Sequence, residues 1–295
     1  MDKTTELFCL IDDFCQQFEP LLERRMLAES SGKRRRCRTC AMSLSEMTTI
    51  VVLFHTMRGR QFKAFYRGIV CGFMASEFPH RLSYTRFVAL MPRCATVLAA
   101  LFATLKGTCT GLSVADATPL AVCDNLRIQR HRVFQAIARR GKSSTGWFYG
   151  FKLHVVINHR GELLAIKVTP GNVDDRKGLM AIASNLFGKL YADKGYIGKE
   201  FARKMKDKGI DLVTRVRKNM KEVVHSEFDQ ALLRKRSLVE TVFDELKNLC
   251  QIEHTRHRSL SNFAVNLMAG IVAYCLAPAK PHIKVWSSQD SLAAS

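Results

Sequence analysis

The spacing of apolar residues changes once along the chain, near Gly111, and this change limits the folds that are open to it. Before Gly111 apolar residues recur at helical spacing, as in Leu7, Ile11, Phe14 and Phe18, which predicts that the first hundred or so residues are predominantly helical. After Gly111 they fall in short runs bounded by turn residues, which is typical of strands alternating with helices. The chain is therefore predicted to combine a helical part with an α/β part.

The segments after Gly111 follow one another in an informative order. The run "LSVADATPLAVC" predicts a first strand, "WFYGFKLHVVI" and "ELLAIKVTP" predict a hairpin, and "GKLYAD" and "IDLVTRVRK" predict two strands with a helix between them. A closing helix is predicted from about Leu232 to Leu249. This is the order of a ribonuclease H-like fold, so we expect an α/β mixed sheet with flanking helices, preceded by a helical N-terminal domain. The expected boundaries are 1–108 for the helical domain, 109–280 for the α/β domain and 281–295 for a polar tail.

Local signals add detail to the helical domain. Ser43 with Glu46 three residues later forms the pattern of a capping box, which predicts a helix running through Met57. Pro20 predicts a break in the first helix. Aromatic and basic residues interleave in the segment 62–67, a pattern typical both of a helix-turn-helix DNA-binding head and of an ordinary helical core.

The net charge indicates the class of partner. Lys and Arg number 46 against 26 Asp and Glu, which leaves a formal charge of +20 at pH 7. A balance this basic favours a polyanion, most often nucleic acid, because neutralising phosphates releases counterions; an anionic membrane surface is the second candidate. The densest basic run is "GKRRRCR", in which Arg34, Arg35 and Arg36 are candidate phosphate contacts and a solvated loop is the alternative.

The first residues and the cysteines favour a cytoplasmic protein. "MDKTTELFCL" carries Asp2 and Glu6 and lacks the basic start, apolar run and cleavage site of a secretory signal. The apolar stretch "NLMAGIVAYCLAPA" is shorter than the roughly 20 residues that cross a bilayer and is predicted to be a buried helix. Ten irregularly spaced cysteines indicate reduced thiols, and Cys37 and Cys40 of "CRTC" would supply only two ligands of a zinc site.

Three acids stand where regular elements would present them. Asp116 lies on the first predicted strand, Asp193 at the carboxyl end of "GKLYAD", and Glu240 on the closing helix, where Arg236 and Lys247 share its polar face. In an open α/β sheet, ligands collect beyond the carboxyl ends of strands. Three clustered carboxylates repel one another, so a dication is their natural partner, and oxygen ligands suit Mg²⁺. The chemistry that needs such a cluster is metal-assisted phosphoryl transfer, although any single acid of this kind more often caps a helix or faces solvent.

The chain resembles DDE transposases of bacterial insertion sequences, and most closely the insertion-sequence nine-eighty-two family. The resemblance rests on "VADATPLAVC", "GFKLH", "PGNVDD", "YADKGYIG", "RKRSLVETVFDELK" and "HTRHRSLSNFAVNLMAGIVAYCL". It covers residues 112–276 well and the helical third more loosely. Arg236, Glu240 and Lys247 have the spacing of the signature shared by related insertion-sequence transposases, and Leu233 stands where those relatives often carry a tyrosine.

The resemblance implies an enzyme and its active-site residues. Asp116, Asp193 and Glu240 would be the DDE triad, at once catalytic and metal-binding, and would hold two Mg²⁺ ions with Mn²⁺ as a substitute. In the family's reaction, water attacks a phosphodiester at the transposon end, and the freed 3′ hydroxyl then attacks target DNA at the same pair of metals. The chain is thus expected to be a DNA transposase that cleaves strands at transposon ends and transfers them into target DNA.

The resemblance also implies partners and a location. Arg236 and Lys247 would face the DNA backbone near the cut, and Arg234 and Lys235 would extend that surface. The substrates would be double-stranded terminal inverted repeats and target DNA, bound by a homodimer in the cytoplasm of a bacterium or archaeon, at the nucleoid and away from any membrane. Residues 1–108 would serve DNA binding and dimerisation. Two alternatives stay open, a structure-selective nuclease of the same fold and a catalytically silent DNA-binding protein.

Other polar residues of this half have simpler interpretations. Lys152 and His154 alternate on a strand that would flank the site, and His154 is predicted to be a packed core histidine. Asp124, Asp174 and Asp175 are predicted to be turn or cap residues rather than metal ligands.

Overall fold

The computed structural model describes residues 3–29, 40–144, 146–215, 220, 224–253 and 257–283. These residues form two compact units, which divide the sequence at Leu105/Lys106, Glu245/Leu246 and Ala277/Pro278. The first unit holds the N-terminal helices and the last helix, and the second holds the sheet. Residues 246–277, which the sequence assigns to the α/β domain, thus belong to the first unit.

The regular elements are numbered in chain order. The α-helices are α1 (Lys3–Glu29), α2 (Leu44–Thr56), α3 (Phe62–Phe65), α4 (Tyr84–Leu90), α5 (Cys94–Leu105), α6 (Asp175–Met180), α7 (Lys199–Lys206), α8 (Glu227–Arg234), α9 (Leu238–Asp244) and α10 (Leu260–Leu276). The strands are β1 (Leu112–Cys123), β2 (Arg139–Ser143), β3 (Gly146–Asn158), β4 (Leu163–Pro170), β5 (Gly188–Ala192) and β6 (Ile210–Thr214). Three-ten turns occupy Met91–Arg93, Asn125–Arg130, Lys194–Tyr196 and Lys235–Ser237, and π-helical turns occupy Tyr66–Phe73 and Glu245–Leu249.

Helices α2, α5 and α10 pack together in the first unit. The predicted capping box at the start of α2 is confirmed: the Ser43 hydroxyl accepts from the Glu46 N–H at 3.0 Å, and the Glu46 carboxylate accepts from the Ser43 N–H at 2.6 Å. Most apolar side chains of α10 are buried, which confirms the buried helix predicted for that stretch. Buried His55 of α2 donates from Nδ1 to the Cys250 carbonyl at 2.5 Å, and burial lowers the pKa of its imidazole to about 4.

The helix break predicted at Pro20 is wrong, because α1 continues through this residue to Glu29. Proline has no N–H, so the carbonyl four residues earlier loses its helical partner. Pro20 is exposed, and in such a position water can hydrate the freed carbonyl.

One stretch of the first unit, Tyr84–Leu105, is long and apolar enough to cross a membrane by length and composition alone. It is not a single helix in the structure, because a three-ten turn containing Pro92 and Arg93 separates α4 from α5. Apolar residues of α5 are buried in the first unit, among them Val97, Leu98 and Leu101.

The second unit is built on a six-stranded mixed sheet. The strand order is β2-β3-β1-β5-β6, with β1 antiparallel to β3 and parallel to β5, and β5 parallel to β6. The 13 residues of β3 serve two partners, since residues 146–150 pair with β2 and residues 151–157 pair with β4. The predicted fold is therefore confirmed, a ribonuclease H-like mixed sheet with flanking helices after a helical N-terminal region.

An apolar core beneath the sheet holds β1 and β5 in place. It joins side chains of β1, β3 and β5 to those of α6 and α7, among them Ala115, Val156, Leu179, Leu190, Phe201 and Met205. Burial of such side chains stabilises the fold by about 25 cal/mol for each Å² of apolar surface removed from water. This packed core therefore fixes the positions of β1 and β5.

Two elements differ from the sequence prediction. β2 lies in a segment predicted to be a loop or ragged helix; its residues, "RRGKS", show no apolar alternation, and only their pairing with β3 makes them a strand. The prediction of one continuous closing helix from Leu232 to Leu249 is wrong. The segment consists of the end of α8, a three-ten turn, α9 and a π-helical turn.

Candidate active site

Two aspartates lie side by side where β1 and β5 run parallel. The register pairs Ala115 of β1 with Ala192 of β5, so Asp116 and Asp193 are the next residues on the two neighbouring strands. β1 continues past this point to Cys123, whereas β5 ends at Ala192 and Asp193 leads into a three-ten turn. The prediction that Asp193 stands at the carboxyl end of a strand is confirmed.

Glu240 approaches these aspartates from a helix that packs against β1. It lies in the first turn of α9, and Arg236 precedes it by about one turn. Arg236 Nη1 donates to Asp116 Oδ2 at 3.1 Å. Arg236 Nη2 donates to Glu240 Oε1 at 3.4 Å and lies 3.7 Å from Asp193 Oδ1. The structure thus gathers Asp116, Asp193 and Glu240, here called the acidic cluster, around one guanidinium.

Burial sets the charge state of Asp116. It raises the pKa of this carboxyl to about 6, and the negative charges of Asp193 and Asp175 act in the same direction. The Ala117 N–H, which donates to Asp116 Oδ1 at 2.8 Å, and the Arg236 guanidinium both lower the pKa. Asp116 is therefore ionised at neutral pH but takes up a proton in mildly acidic solution.

Tyr196 is a buried neighbour of the acidic cluster that no sequence pattern singled out. It ends the three-ten turn after Asp193 and is 2% exposed. Burial raises the pKa of its phenol, and the nearby charges of Asp116 and Asp175 raise it further. The hydroxyl therefore stays protonated at neutral pH. The only sequence signal was the position of an aromatic residue three places after Asp193.

A second ion pair borders the cluster. Lys152 Nζ donates to Asp175 Oδ1 at 2.9 Å and to the Val173 carbonyl at 3.2 Å. The negative charge of Asp175 raises the pKa of both Asp116 and Tyr196, so this pair belongs to the surroundings of the site. Sequence reasoning placed Lys152 on a flanking strand but did not connect it with Asp175.

The simpler interpretations of three other residues are confirmed. The Asp174 carboxylate caps α6 by accepting from the Arg176 N–H at 2.9 Å, and Asp124 caps a three-ten turn in the same way. His154 is buried in the core, with Nε2 at 2.8 Å from Thr169 Oγ1. Burial lowers the pKa of His154 to about 4.

The donor chemistry of the acidic cluster fits a hard cation. Its three side chains offer carboxylate oxygens alone, the ligands that Mg²⁺ prefers. No group of three His, Cys, Asp or Glu side chains within the described ranges has the geometry of a metal site. The three carboxylates are gathered on Arg236 instead, and either a guanidinium or a dication offsets the repulsion among three acids.

The predicted DNA-binding residues fall in different parts of the chain. Arg234 and Lys235 are exposed in the second unit, next in sequence to Arg236. Lys247 belongs to the first unit and pairs with Glu253 at 3.2 Å. Arg34, Arg35 and Arg36 lie outside the described residues, as does Cys37 of the zinc motif.

A comparison with known proteins gives a match in the part of the chain that holds the acidic cluster. A family model described as a transposase DDE domain matches residues 106–260, a region that contains all three residues of the acidic cluster. A search of curated proteins found no match to the chain.

Proposed function

Because the transposase DDE domain model matches more than half of the chain, the protein belongs to the DDE transposase family, and we propose that it cleaves DNA at transposon ends and joins those ends to target DNA. The observation that carries the proposal is the convergence of Asp116, Asp193 and Glu240 around the Arg236 guanidinium inside the matched region. We assign these acids as the catalytic triad. The motifs that the chain shares with the insertion-sequence nine-eighty-two family support a place in that family, and Arg236, Glu240 and Lys247 have the spacing of a signature found in related insertion-sequence transposases.

Asp116, Asp193 and Glu240 would hold two Mg²⁺ ions, or Mn²⁺ in their place, through their carboxylate oxygens. When bound, such ions supply charge stabilisation for the attacking and leaving oxygens of an in-line displacement at phosphorus. The fold of the chain sets the positions of the three carboxylates. The parallel register of β1 and β5 sets the two aspartates beside each other, and α9 brings the glutamate to them.

Arg236 has a role of its own in this proposal. Its guanidinium offsets the charge of the acidic cluster in the protein alone. We assign it a second role, contact with the DNA backbone near the cut. Arg234 and Lys235 extend the cationic surface beside it, and neutralising each phosphate releases counterions and favours binding. The overall charge of +20 favours the same class of partner.

The remaining parts of the proposal concern assembly and location. Joining two transposon ends requires that they be held together, which a homodimer on terminal inverted repeats would do. Lys247 and residues 34–36 would add phosphate contacts. The protein would act in the cytoplasm, on the DNA of the nucleoid.

A strand-transfer assay tests the proposal. Purified protein is incubated with labelled DNA carrying the repeats that flank its own gene, together with an unlabelled plasmid, with and without Mg²⁺. Label should appear in the plasmid only when Mg²⁺ is present, and Glu240→Gln protein serves as the matched control. Cut ends that never join would instead identify a nuclease, and binding without cutting would identify a catalytically silent DNA-binding protein.

A further inference from the structure

A groove of about 410 Å³ lies in the second unit between the β2–β3 hairpin and the loop that precedes α6. This volume is within the range of about 300–1,000 Å³ that is usual for small-ligand sites. Its wall includes Asp175 and Gly195. The negative charge of Asp175 is close enough to raise the pKa of Asp116, and Gly195 follows Asp193 by two residues. The groove therefore borders the acidic cluster.

An exposed tryptophan lies on the hairpin side of the groove. Trp147 is the second residue of β3 and leaves 59% of its surface in contact with solvent. Lys142 Nζ, on the paired strand β2, lies 5.9 Å from the centroid of the indole ring. An indole this exposed is open to a flat ligand, and the cation beside it offers a partner for an anionic group of the same ligand. Nucleobases stack on such rings whatever their sequence.

The charges that line the groove leave it cationic. Asp174 is held by the Arg176 guanidinium, with Nη2 at 2.6 Å from Oδ2, and Asp175 is held by Lys152 at 2.9 Å. Each of these two acids thus already has a cationic partner in the same chain. Within the described part of the chain, Arg140 and Lys142 form no ion pair, and both side chains are exposed. Two cations therefore remain for an anionic ligand.

Glycines line the groove both on the hairpin side and on the side toward the acidic cluster. A Cβ added to Gly141 of β2 would lie 2.2 Å from the Gly171 carbonyl oxygen, so only glycine permits this approach of the two backbones. Gly195, on the side toward the acidic cluster, faces open space, since nothing lies within 4 Å of an added Cβ. A flat ligand can therefore enter from the direction of the cluster.

We infer that this groove binds an unpaired nucleotide of DNA beside the acidic cluster, with its base stacked on Trp147 and its phosphates held by Arg140 and Lys142. A duplex keeps its bases inside the helix, so only a nucleotide that has left its pair can offer a face to the indole. The inference rests on the proposed function for the identity of the ligand as DNA. It adds a contact to the base itself, which the catalytic residues do not make.

Tryptophan fluorescence tests the inference without any cleavage. The chain has two tryptophans, so Trp286→Phe in the full-length protein leaves Trp147 as the only one. This protein is titrated in chelator with an oligothymidylate, with an abasic oligomer of the same length, and with a blunt duplex. Only the oligothymidylate should quench the emission. Equal quenching by all three ligands, or by none at saturating concentration, overturns the inference.

Binding affinities of variants give the second measurement. Trp147→Ala should weaken oligothymidylate binding by between about 5-fold and about 150-fold, and Trp147→Phe by much less, because a phenyl ring still stacks. Arg140→Ala and Lys142→Ala should each make the slope of log affinity against log salt shallower by about 0.7. Exposed Lys167 on β4 does not line the groove, so Lys167→Ala is the matched control for loss of one charge. Wild-type affinity of Trp147→Ala, or equal effects of Lys142→Ala and Lys167→Ala, contradicts the inference.

The two proposals fail in different ways. A protein that joins DNA ends while Trp147 responds to no oligonucleotide supports the proposed function and removes the nucleotide groove. A protein that shows base-dependent quenching yet never cuts DNA keeps the groove and removes the transposase activity.

Discussion

Replacing Arg236 by glutamine should destabilise the metal-free protein and make it depend more strongly on Mg²⁺. The change removes the cation that three carboxylates share and leaves the size of the side chain similar. The three contacts are unequal, since Arg236 and Asp116 are only 20% and 23% exposed whereas Asp193 and Glu240 are 54% and 60% exposed. Most of the loss of stability should therefore come from the broken contact with Asp116.

The magnitude follows from these exposures. A hydrogen bond to a charged group contributes about 1.5–3 kcal/mol, and each of the two exposed pairs contributes about 0.2–1 kcal/mol. Protonation limits the loss at Asp116, because at pH 8 adding a proton to a carboxyl with a pKa of about 6 costs about 2.7 kcal/mol. The expected decrease in the free energy of unfolding at pH 8 in chelator is about 2–4 kcal/mol.

Urea denaturation, monitored by circular dichroism, measures the decrease in the free energy of unfolding. Hydrogen exchange of peptides from β1 and α9 shows whether the loss of stability is located there. Millimolar Mg²⁺ should stabilise Arg236→Gln more than wild type, because in wild type the metal must first displace the guanidinium from the carboxylates. Arg234→Gln removes an exposed guanidinium two residues away and should change little. Unaltered stability of Arg236→Gln in chelator, or equal stabilisation of both proteins by Mg²⁺, would show that Arg236 does not offset the repulsion among the three carboxylates.

Four further outcomes are expected. Glu240→Gln should lower strand cleavage by at least about two orders of magnitude while DNA binding survives, and Asp244→Asn should cost much less; the reverse ranking would show that the wrong acid was assigned. Cleavage should stop in chelator and return with Mg²⁺ or Mn²⁺, whereas Ca²⁺ should support binding better than turnover; cleavage that persists in chelator would exclude the metal mechanism. Buried His55 is neutral in the folded state, so its unfolded form alone takes up a proton between pH 6.5 and its folded pKa of about 4, and stability should fall as the pH falls through this window. His55→Asn should reduce the loss between pH 8 and pH 5 by about 2 kcal/mol in urea titrations, and an unchanged loss would mean that other groups cause it. Alanine at Arg34, Arg35 and Arg36 should weaken duplex binding in a salt-dependent manner without lowering stability; unchanged binding would identify a solvated loop.

Much of the fold was predictable because its signals are local. The capping box of Ser43 and Glu46, the buried stretch of α10 and the apolar runs of β3 and β4 each depend on residues within a few positions of one another. Periodicity therefore placed most elements and their order. It failed at Pro20, where exposure let a helix continue, and at β2, which is a strand only through its partner.

The candidate site was predictable in its residues but not in its contacts. The placement of Asp116 on a strand, of Asp193 at the end of a strand and of Glu240 on the closing helix, together with the resemblance, was enough to single them out. No local pattern showed that Arg236 would contact Asp116, a residue 120 positions away in the chain. The same holds for the pairing of Lys152 with Asp175, which neutralises an acid beside the site.

Composition and short-range spacing were sufficient for the order of elements and the excess of positive charge, and with the family resemblance they were sufficient for the identity of the candidate acids. Which side chains meet depends instead on packing between distant segments. The parallel register of β1 and β5 sets two aspartates beside each other, burial raises the pKa of Asp116 to about 6, and the β2–β3 hairpin places Trp147 next to a cationic groove. These features exist only in the folded chain, because desolvation of a carboxyl is a property of its surroundings rather than of its neighbours in sequence.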